Sequence, residues 1–177
     1  MRIFIAINLT EELKVKLYEQ ITELKQQSVK GNFTRKENLH LTLAFLGEVG
    51  ENQLKKLNNV IEQFEFSKFT IEFSNMSSFR NGDEFLPWIG IVANANLHQL
   101  HDQLIKELKA AGFTPDDKEF TPHITLGRKV ILKSNSERNI NGRLIGKEMM
   151  VSTISIMKSD RSSGILTYTE IYRRNLS

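Results

Sequence analysis

Apolar residues recur along the chain at two spacings, one typical of helices and the other typical of strands. Leucine and isoleucine at intervals of three and four positions predict three amphipathic helices. These helices are predicted over residues 10–27, 51–64 and 96–111. Thr10 is the expected N-cap of the first helix, because its hydroxyl can accept a main-chain hydrogen bond and acidic residues follow it in the first turn.

Shorter apolar or alternating segments predict β-strands, separated by polar and glycine-containing stretches. The predicted strands cover residues 2–8, 33–35, 39–46, 66–73, 85–93, 120–126, 149–158 and 165–173. Turns or breaks are expected at 30–32, 47–50, 81–83 and 159–164, and a loop with a short helix is expected over 134–146. The order of these elements indicates an α+β domain, 1–177, in which two similar lobes close on a shared cleft.

One short pattern occurs twice. Residues 39–48 read LHLTLAFLGE and residues 120–128 read FTPHITLGR. Residues i and i+2 of a strand point to the same face, so His40 shares a face with Thr42, and His123 shares one with Thr125. Each segment therefore presents an imidazole and a hydroxyl on one face and aliphatic side chains on the other.

Two such strands side by side would bring two imidazoles and two hydroxyls together. An unperturbed imidazole titrates near pH ~6.5, so one histidine can act as general acid and the other as general base. Threonine hydroxyls can hydrogen-bond the oxygens of an anion between them. This set of side chains suits hydrolysis of a phosphodiester without a metal.

Arg128 is a further candidate for phosphate binding, since a guanidinium group matches phosphate oxygens. Strict alternation would place Arg128 on the face opposite His123. A bulge or a strand end at Gly127 would turn it towards the site. A surface arginine without a role in the site is the alternative.

The other two histidines, His98 and His101, lie three positions apart on a predicted helix and could form half of a metal site. No third ligand follows in a recognisable pattern, and the stripe of leucines explains this helix without a metal. No metal and no cofactor are therefore expected.

Aromatic side chains near the motifs are candidates for stacking a nucleobase. They are Phe33, Phe79, Phe85 and Trp88. Most aromatic residues pack in protein cores, so only one or two of these four are expected to face the cleft. Arg35 and Lys36 precede the first motif and are candidates for the mouth of the cleft.

Composition narrows the possible classes of protein. The chain has no cysteine, which excludes disulfides, thiolate catalysis and zinc held by cysteine. No apolar run approaches the ~20 residues of a membrane helix, and the N-terminal segment does not have the pattern of a signal peptide, so a cytoplasmic location is expected. The net charge of +3 is too small to argue nucleic-acid binding by itself.

The two motifs, 37–48 and 120–128, resemble those of the RNA 2′,3′-cyclic phosphodiesterases, formerly called 2′-5′ RNA ligases, within the 2H phosphoesterase superfamily. The resemblance implies two antiparallel-sheet lobes related by a pseudo-two-fold, with the histidines in the groove. It also implies that His40 donates a proton, that His123 accepts one, and that RNA with a 2′,3′-cyclic phosphate end is the substrate. A monomer is expected. The residues alone do not assign the two histidine roles, because the motifs are nearly symmetric.

Two other classes of function use the same residues. One is the cleavage or the ligation of 2′-5′ linked oligonucleotides, or hydrolysis of another cyclic nucleotide. The other is an RNA-binding module that captures phosphate ends without turnover. Intact histidines in both motifs argue against simple capture, because capture needs only donors such as arginine.

Overall fold

The computed structural model describes residues 1–116, 118–133, 144–161 and 164–177. Within these residues the chain forms three α-helices, ten strands and a short 3-10 helix, Lys36–Asn38. The helices are α1 (Glu11–Gln26), α2 (Glu51–Gln63) and α3 (Ala95–Ala110). The strands are β1 (Arg2–Asn8), β2 (Ser28–Phe33), β3 (His40–Glu48), β4 (Phe69–Asn81), β5 (Glu84–Ile91), β6 (His123–Thr125), β7 (Gly127–Leu132), β8 (Glu148–Val151), β9 (Thr153–Asp160) and β10 (Thr167–Asn175).

The strands form two antiparallel sheets. The first has the order β10-β9-β1-β3, and the second has the order β2-β7-β5-β4-β8, with β6 also paired to β5. The predicted α+β class with two sheet lobes is confirmed. The lobes do not coincide with the two halves of the sequence, however, because β9 and β10 join the first sheet while β2 joins the second.

The predicted helices are confirmed to within one or two residues. The hydroxyl of Thr10 accepts a hydrogen bond from the main-chain nitrogen of Leu13 at 3.4 Å, as expected for an N-cap. The side chain of Asn94 caps α3 in the same way, through the nitrogen of Leu97 at 3.0 Å. Among the described residues, no helix is long and apolar enough to cross a membrane.

The same unit of strand, helix and motif strand occurs once in each sheet. In the first sheet β1 leads into α1 and pairs with motif strand β3. In the second sheet β5 leads into α3 and pairs with motif strand β6. The motif residues lie opposite equivalent positions in the two units: His40 opposite Asn8, Thr42 opposite Ala6, His123 opposite Gly90, and Thr125 opposite Trp88.

Strand β1 is buried on both faces, which is why its sequence is an almost continuous apolar run. Ile3, Ile5 and Ile7 point into the main core, which takes residues from both sheets. Phe4 and Ala6 point to the opposite face and form a smaller apolar cluster there. That second face carries His40, so the floor around the first motif is apolar.

The turn predicted at 30–32 is wrong, because these residues belong to β2, which pairs with β7. The main chain at Gly31 lies so close to the side chain of Val130 that only glycine fits: a Cβ there would lie 2.9 Å from Cγ2 of Val130. A glycine flanked by polar residues is also typical of a turn, so the sequence pattern predicted the wrong element. The strand predicted at 33–35 is also wrong for two of its three residues, because β2 ends at Phe33 and Thr34 and Arg35 lie outside it.

The strand predicted over 149–158 is also wrong as a single element. The chain breaks at Ser152, so that β8 pairs with β4 in one sheet and β9 pairs with β1 in the other. Both segments are apolar, and an apolar run does not reveal a change of sheet. The predicted pairing of the last two strands is confirmed by β9 and β10, while most of the loop predicted at 134–146 lies outside the described residues.

Several strand boundaries differ from the predictions. Strand β4 runs eight residues further than 73, and its hairpin with β5 turns at Gly82, where a φ of 61° favours glycine. Strand β3 continues through Gly47 to Glu48. The second motif strand is short, since β6 covers only His123–Thr125.

Candidate active site

The structure brings the five candidate side chains to one cleft between the two sheets. The cleft has a volume of about 1260 Å³. His40, Thr42, His123, Thr125 and Arg128 all line it. The i, i+2 alternation therefore places each histidine and its threonine together, as predicted from the motifs.

The His40 side chain is fixed by contacts to its ring and to both of its ring nitrogens. Its Nδ1 atom lies 2.6 Å from the main-chain oxygen of Asn38. Its ring packs against Phe4, with the ring centroids 4.8 Å apart, and meets Tyr168 edge-on at 5.1 Å. Its Nε2 atom lies 2.9 Å from Oγ1 of Thr42. The imidazole is thus fixed in one orientation with only Nε2 facing the cleft.

This environment lowers the pKa of His40 to about 4. Burial of the ring is the main cause, because it penalises the charged form. Electrostatic interactions with His123, Arg128 and Lys14 also lower the pKa, and the hydrogen bond to Asn38 opposes them. At neutral pH His40 is therefore neutral, with its proton on Nδ1, and Nε2 accepts a hydrogen bond from the hydroxyl of Thr42.

His123 has the same main-chain contact in the second sheet. Its Nδ1 atom lies 2.6 Å from the main-chain oxygen of Thr121. Its ring centroid is 5.8 Å from the rings of both Phe79 and Trp88. The main-chain oxygen of Thr125 accepts a hydrogen bond from the hydroxyl of Thr34 at 2.8 Å, which ties the short strand β6 to the end of β2.

Arg128 reaches the cleft because the second motif is two strands and not one. Strand β6 ends at Thr125, and β7 starts at Gly127, so a strand end lies where it was predicted. Within β7 the register against β2 shifts, and Lys129 has a φ of 52°, which marks a bulge. Arg128 lines the cleft, and Val130 returns to the core.

The aromatic candidates separate into three groups. Phe33 lines the cleft itself. Phe79 and Trp88 pack against each other at 5.3 Å and against His123. Phe85 lies under the guanidinium group of Arg80 at 4.3 Å, and both residues line a separate pocket outside the cleft. Sequence spacing alone did not separate these environments.

The two basic candidates for the mouth of the cleft differ as well. Arg35 lines the cleft, and its Nε atom lies 3.5 Å from a carboxylate oxygen of Glu37. Lys36 instead pairs with Glu11 at the start of α1, at 3.3 Å. Both ion pairs are exposed, so they contribute little to stability.

The cleft around the first motif also contains three aromatic residues that were not predicted from the sequence: Phe4, Phe45 and Tyr168. Phe4 belongs to a continuous apolar run, in which no polar residue marks the face that lines the cleft. Tyr168 is far along the chain and reaches His40 only because β10 joins the first sheet. Simple alternation places Phe45 on the face opposite Thr42, and a bulge in β3 reverses that placement.

The other two histidines pack against Phe120, three residues before His123. The ring of His101 is parallel to that of Phe120 with centroids 3.9 Å apart, and His98 meets the same ring edge-on at 5.5 Å. In the described part of the chain, no three histidine, aspartate or glutamate side chains are grouped as metal ligands. The two histidines therefore anchor the loop that leads into the second motif.

Comparison with known proteins places the fold and the motifs in a family. Residues 13–163 match the sequence model of the 2′-5′ RNA ligase superfamily. A protein of Archaeoglobus fulgidus named RNA 2′,3′-cyclic phosphodiesterase is 36% identical over 130 residues, which are 72% of each chain. A protein of the same name from Methanothermobacter thermautotrophicus is 29% identical over 97% of this chain and 96% of its own.

The fold has relatives among solved structures. The crystal structure of Escherichia coli LigT complexed with 3′-AMP matches with a TM-score of 0.80 and 27% identity, covering 99% of this chain and 98% of that chain. The matched sequence model and the relative from Archaeoglobus fulgidus each extend over most of the chain. The chain belongs to the 2′-5′ RNA ligase superfamily.

Proposed function

We propose that the protein hydrolyses the 2′,3′-cyclic phosphate at the end of an RNA chain to a phosphomonoester. One observation carries this proposal: two histidines, one from each sheet, face a single cleft that also holds two threonine hydroxyls and Arg128. Relatives covering most of the chain are named RNA 2′,3′-cyclic phosphodiesterase, which supports the same substrate class.

The reaction adds one water molecule across one phosphorus–oxygen bond. One imidazole takes a proton from water as the water oxygen attacks phosphorus, and the other gives a proton to the ribose oxygen that leaves. In both histidines Nδ1 is occupied by a main-chain oxygen, so Nε2 is the atom that exchanges protons. By family resemblance His40 is the donor and His123 the acceptor.

His40 must gain a proton before it can donate one, since burial lowers its pKa to about 4. A phosphate anion between the motifs would offset the charge of Arg128 and favour protonated His40. Substrate binding and protonation of His40 are therefore coupled. The free protein keeps this imidazole neutral, and the donor forms when the anion is bound.

The threonines and Arg128 bind the non-bridging oxygens of the phosphate. In the free protein the Thr42 hydroxyl donates to Nε2 of neutral His40. Once Nε2 carries a proton, the Thr42 hydroxyl is released to donate to a phosphate oxygen. Thr125 supplies the equivalent hydroxyl from the second sheet, and the guanidinium group of Arg128 supplies two parallel donors.

The test is substitution of each histidine, His40→Ala and His123→Ala, with His101→Ala as a matched control outside the cleft. Each single substitution in the cleft is expected to lower kcat by ~10²–10⁴-fold on a cyclic-ended oligonucleotide. The double variant should lose much less than the product of the two, because the histidines act as a unit. Full activity in either single variant would refute the proposal. His101→Ala loses a ring contact with Phe120 but no imidazole of the cleft, so it should lower kcat far less than either variant.

No step of this mechanism uses a metal, so activity should persist in EDTA. Complete loss in EDTA, with recovery on adding one divalent cation, would overturn that part of the proposal.

The family description favours one second candidate, cleavage or formation of 2′-5′ linkages. A panel of cyclic-ended and 2′-5′ linked RNAs separates the two. A monomeric state and a cytoplasmic location remain predictions.

A further inference from the structure

The cleft extends beyond the two histidines along the whole length of β1 and β3. Asn8 pairs with His40 at one end of this ladder, and Arg2 pairs with Glu48 at the other. The volume of about 1260 Å³ is larger than the roughly 300–1,000 Å³ of pockets that hold one small ligand. The cleft therefore has room for more than the nucleotide that carries the reacting phosphate.

Phe45 faces this extension because of a bulge in β3. The register of the ladder shifts between Ile5 and Ala6, so β3 has one extra residue between Thr42 and Phe45. On a regular strand, a separation of three positions would put the side chains of Thr42 and Phe45 on opposite faces. The bulge brings both to the cleft face, where the Phe45 ring is half-buried and lines the cleft.

A cation and a second ring accompany Phe45. The guanidinium carbon of Arg2 lies 5.0 Å from the centroid of the Phe45 ring, and the ring of Phe4 is nearly parallel to it at 6.4 Å. Glu48, which faces Arg2 in the ladder, pairs instead with the amino group of Met1 at 3.1 Å. In the described part of the chain no carboxylate pairs with Arg2, so its charge is available to an anion.

We propose that Arg2 and Phe45 form a second nucleotide subsite, which binds the nucleotide next to the cyclic end of a single-stranded RNA. The base stacks on Phe45, and the phosphodiester that joins the two nucleotides pairs with Arg2. An aromatic ring can stack with any base, and a guanidinium group binds the phosphate backbone. This subsite therefore favours an oligonucleotide over a mononucleotide without preferring a particular base sequence.

The position of the subsite fits the chemistry of the substrate. A cyclic phosphate closes the 3′ end of an RNA chain, so any further nucleotide must be attached on the 5′ side. Thr42 and Phe45 are three residues apart, at most about 10 Å along a strand. This separation matches one nucleotide step from the reacting phosphate. The proposal names the substrate as an oligonucleotide, and in this respect it rests on the proposed function.

The test compares adenosine 2′,3′-cyclic phosphate with the dinucleotide that ends in the same group. The wild-type protein should have the higher kcat/KM on the dinucleotide. Phe45→Leu and Arg2→Gln should each reduce that preference by roughly 5- to 100-fold, the range for loss of one stacked base, with the change mainly in KM. Arg2→Lys keeps the charge and loses the planar group, so it should give a smaller reduction.

The control is Arg80→Gln, which alters a second arginine–phenylalanine pair, Arg80 over Phe85, outside the cleft. This variant should keep the dinucleotide preference. Circular dichroism should show that Phe45→Leu is folded. An equal loss of kcat/KM on both substrates, or no change in the preference, would overturn the proposed subsite.

A binding measurement separates failure of the subsite from failure of the proposed function. If neither substrate is turned over, the proposed function fails. Fluorescence anisotropy of a labelled dinucleotide with a terminal phosphate then tests the subsite alone. Weaker binding in Phe45→Leu and Arg2→Gln, with unchanged binding in Arg80→Gln, would support it, and equal binding in all of these variants would overturn it.

Discussion

The Nδ1 atom of His40 lies 2.6 Å from the main-chain oxygen of Asn38, two residues earlier in the chain. His123 has the same relationship to Thr121, also at 2.6 Å. A carbonyl oxygen can only accept a hydrogen bond, so each Nδ1 carries a proton and each Nε2 is left for the substrate. The main chain just before each motif strand therefore sets the tautomer of both histidines.

Asn38→Ala should impair catalysis through His40. The buried Asn38 amide donates to the main-chain oxygen of Leu166 at 2.8 Å and accepts from the nitrogen of Tyr168 at 3.1 Å, which holds the segment that carries the orienting oxygen. Removing it loses two hydrogen bonds to partly buried main-chain groups, so the free energy of unfolding should fall by about 1–3 kcal/mol. We expect kcat to fall between about 10- and 10²-fold, with KM less affected.

Asn94→Ala is the matched control for this prediction. Asn94 also uses its amide twice, donating to the oxygen of Thr70 at 2.8 Å and accepting from the nitrogen of Leu97 at 3.0 Å, but it caps α3 outside the cleft. This variant should lose stability and retain kcat. Steady-state kinetics on folded protein decide the matter, and a wild-type kcat in Asn38→Ala would exclude a positioning role.

The stability of the fold should depend on the protonation of His40. Its pKa is about 4 in the folded protein and 6.5 in the reference state, so the unfolded chain binds more protons between these values. The free energy of unfolding should therefore rise with pH across this window and fall as the pH drops from 6.5 to 4. The full shift corresponds to about 3 kcal/mol at most.

His40→Gln removes this titration and should flatten the pH dependence of stability. Urea unfolding followed by the fluorescence of Trp88, the single tryptophan, gives the free energy at each pH. Below pH 6.5 the variant should lose less stability than the wild type. Identical slopes for the two proteins between pH 4 and 6.5 would mean that His40 is not the group responsible.

The elements that the sequence predicted correctly are those whose pattern is local. Helical leucine spacing located all three helices, and strand alternation correctly placed His40 and Thr42 on one face. The errors lie where the partner strand decides the outcome. Residues 30–32 form β2 because β7 pairs with them, and 149–158 divides because its two ends pair with different sheets.

The features of the site that the sequence did not predict also depend on partner strands. The two motifs contain all four polar groups expected to meet, and the repeat itself signals that they share one cleft. Phe45 and Arg128 depend on bulges in β3 and β7, and a bulge has no reliable signal in a single sequence. The low pKa of His40 depends on packing against Phe4 and on Arg128 across the cleft, contacts that no local pattern specifies.

Phosphate should raise the pKa of His40. Arg128 lowers this pKa in the free protein, and an anion in the cleft opposes that charge. A pH titration of the imidazole nitrogens by ¹⁵N NMR, with and without saturating inorganic phosphate, measures the change. Arg128→Gln should raise the pKa of His40 without phosphate. A pKa that stays near 4 in both experiments would remove the coupling between anion binding and protonation.

The bond that breaks should be the one to the 3′-oxygen. In-line displacement places the attacking water opposite the leaving oxygen, so the two histidines must approach phosphorus from opposite sides, one from each sheet. If His40 donates to the 3′-oxygen, as the family resemblance implies, the product is a 2′-phosphate with a free 3′-hydroxyl. Phosphorus NMR of the product from a cyclic-ended dinucleotide identifies the isomer, and reaction in ¹⁸O-water should place the label on phosphorus. A predominantly 3′-phosphate product would have two explanations: the substrate lies in the cleft in the reverse direction, or His123 is the donor. A substrate whose leaving oxygen needs no proton distinguishes them. Such a substrate should restore turnover in His123→Ala only if His123 is the donor.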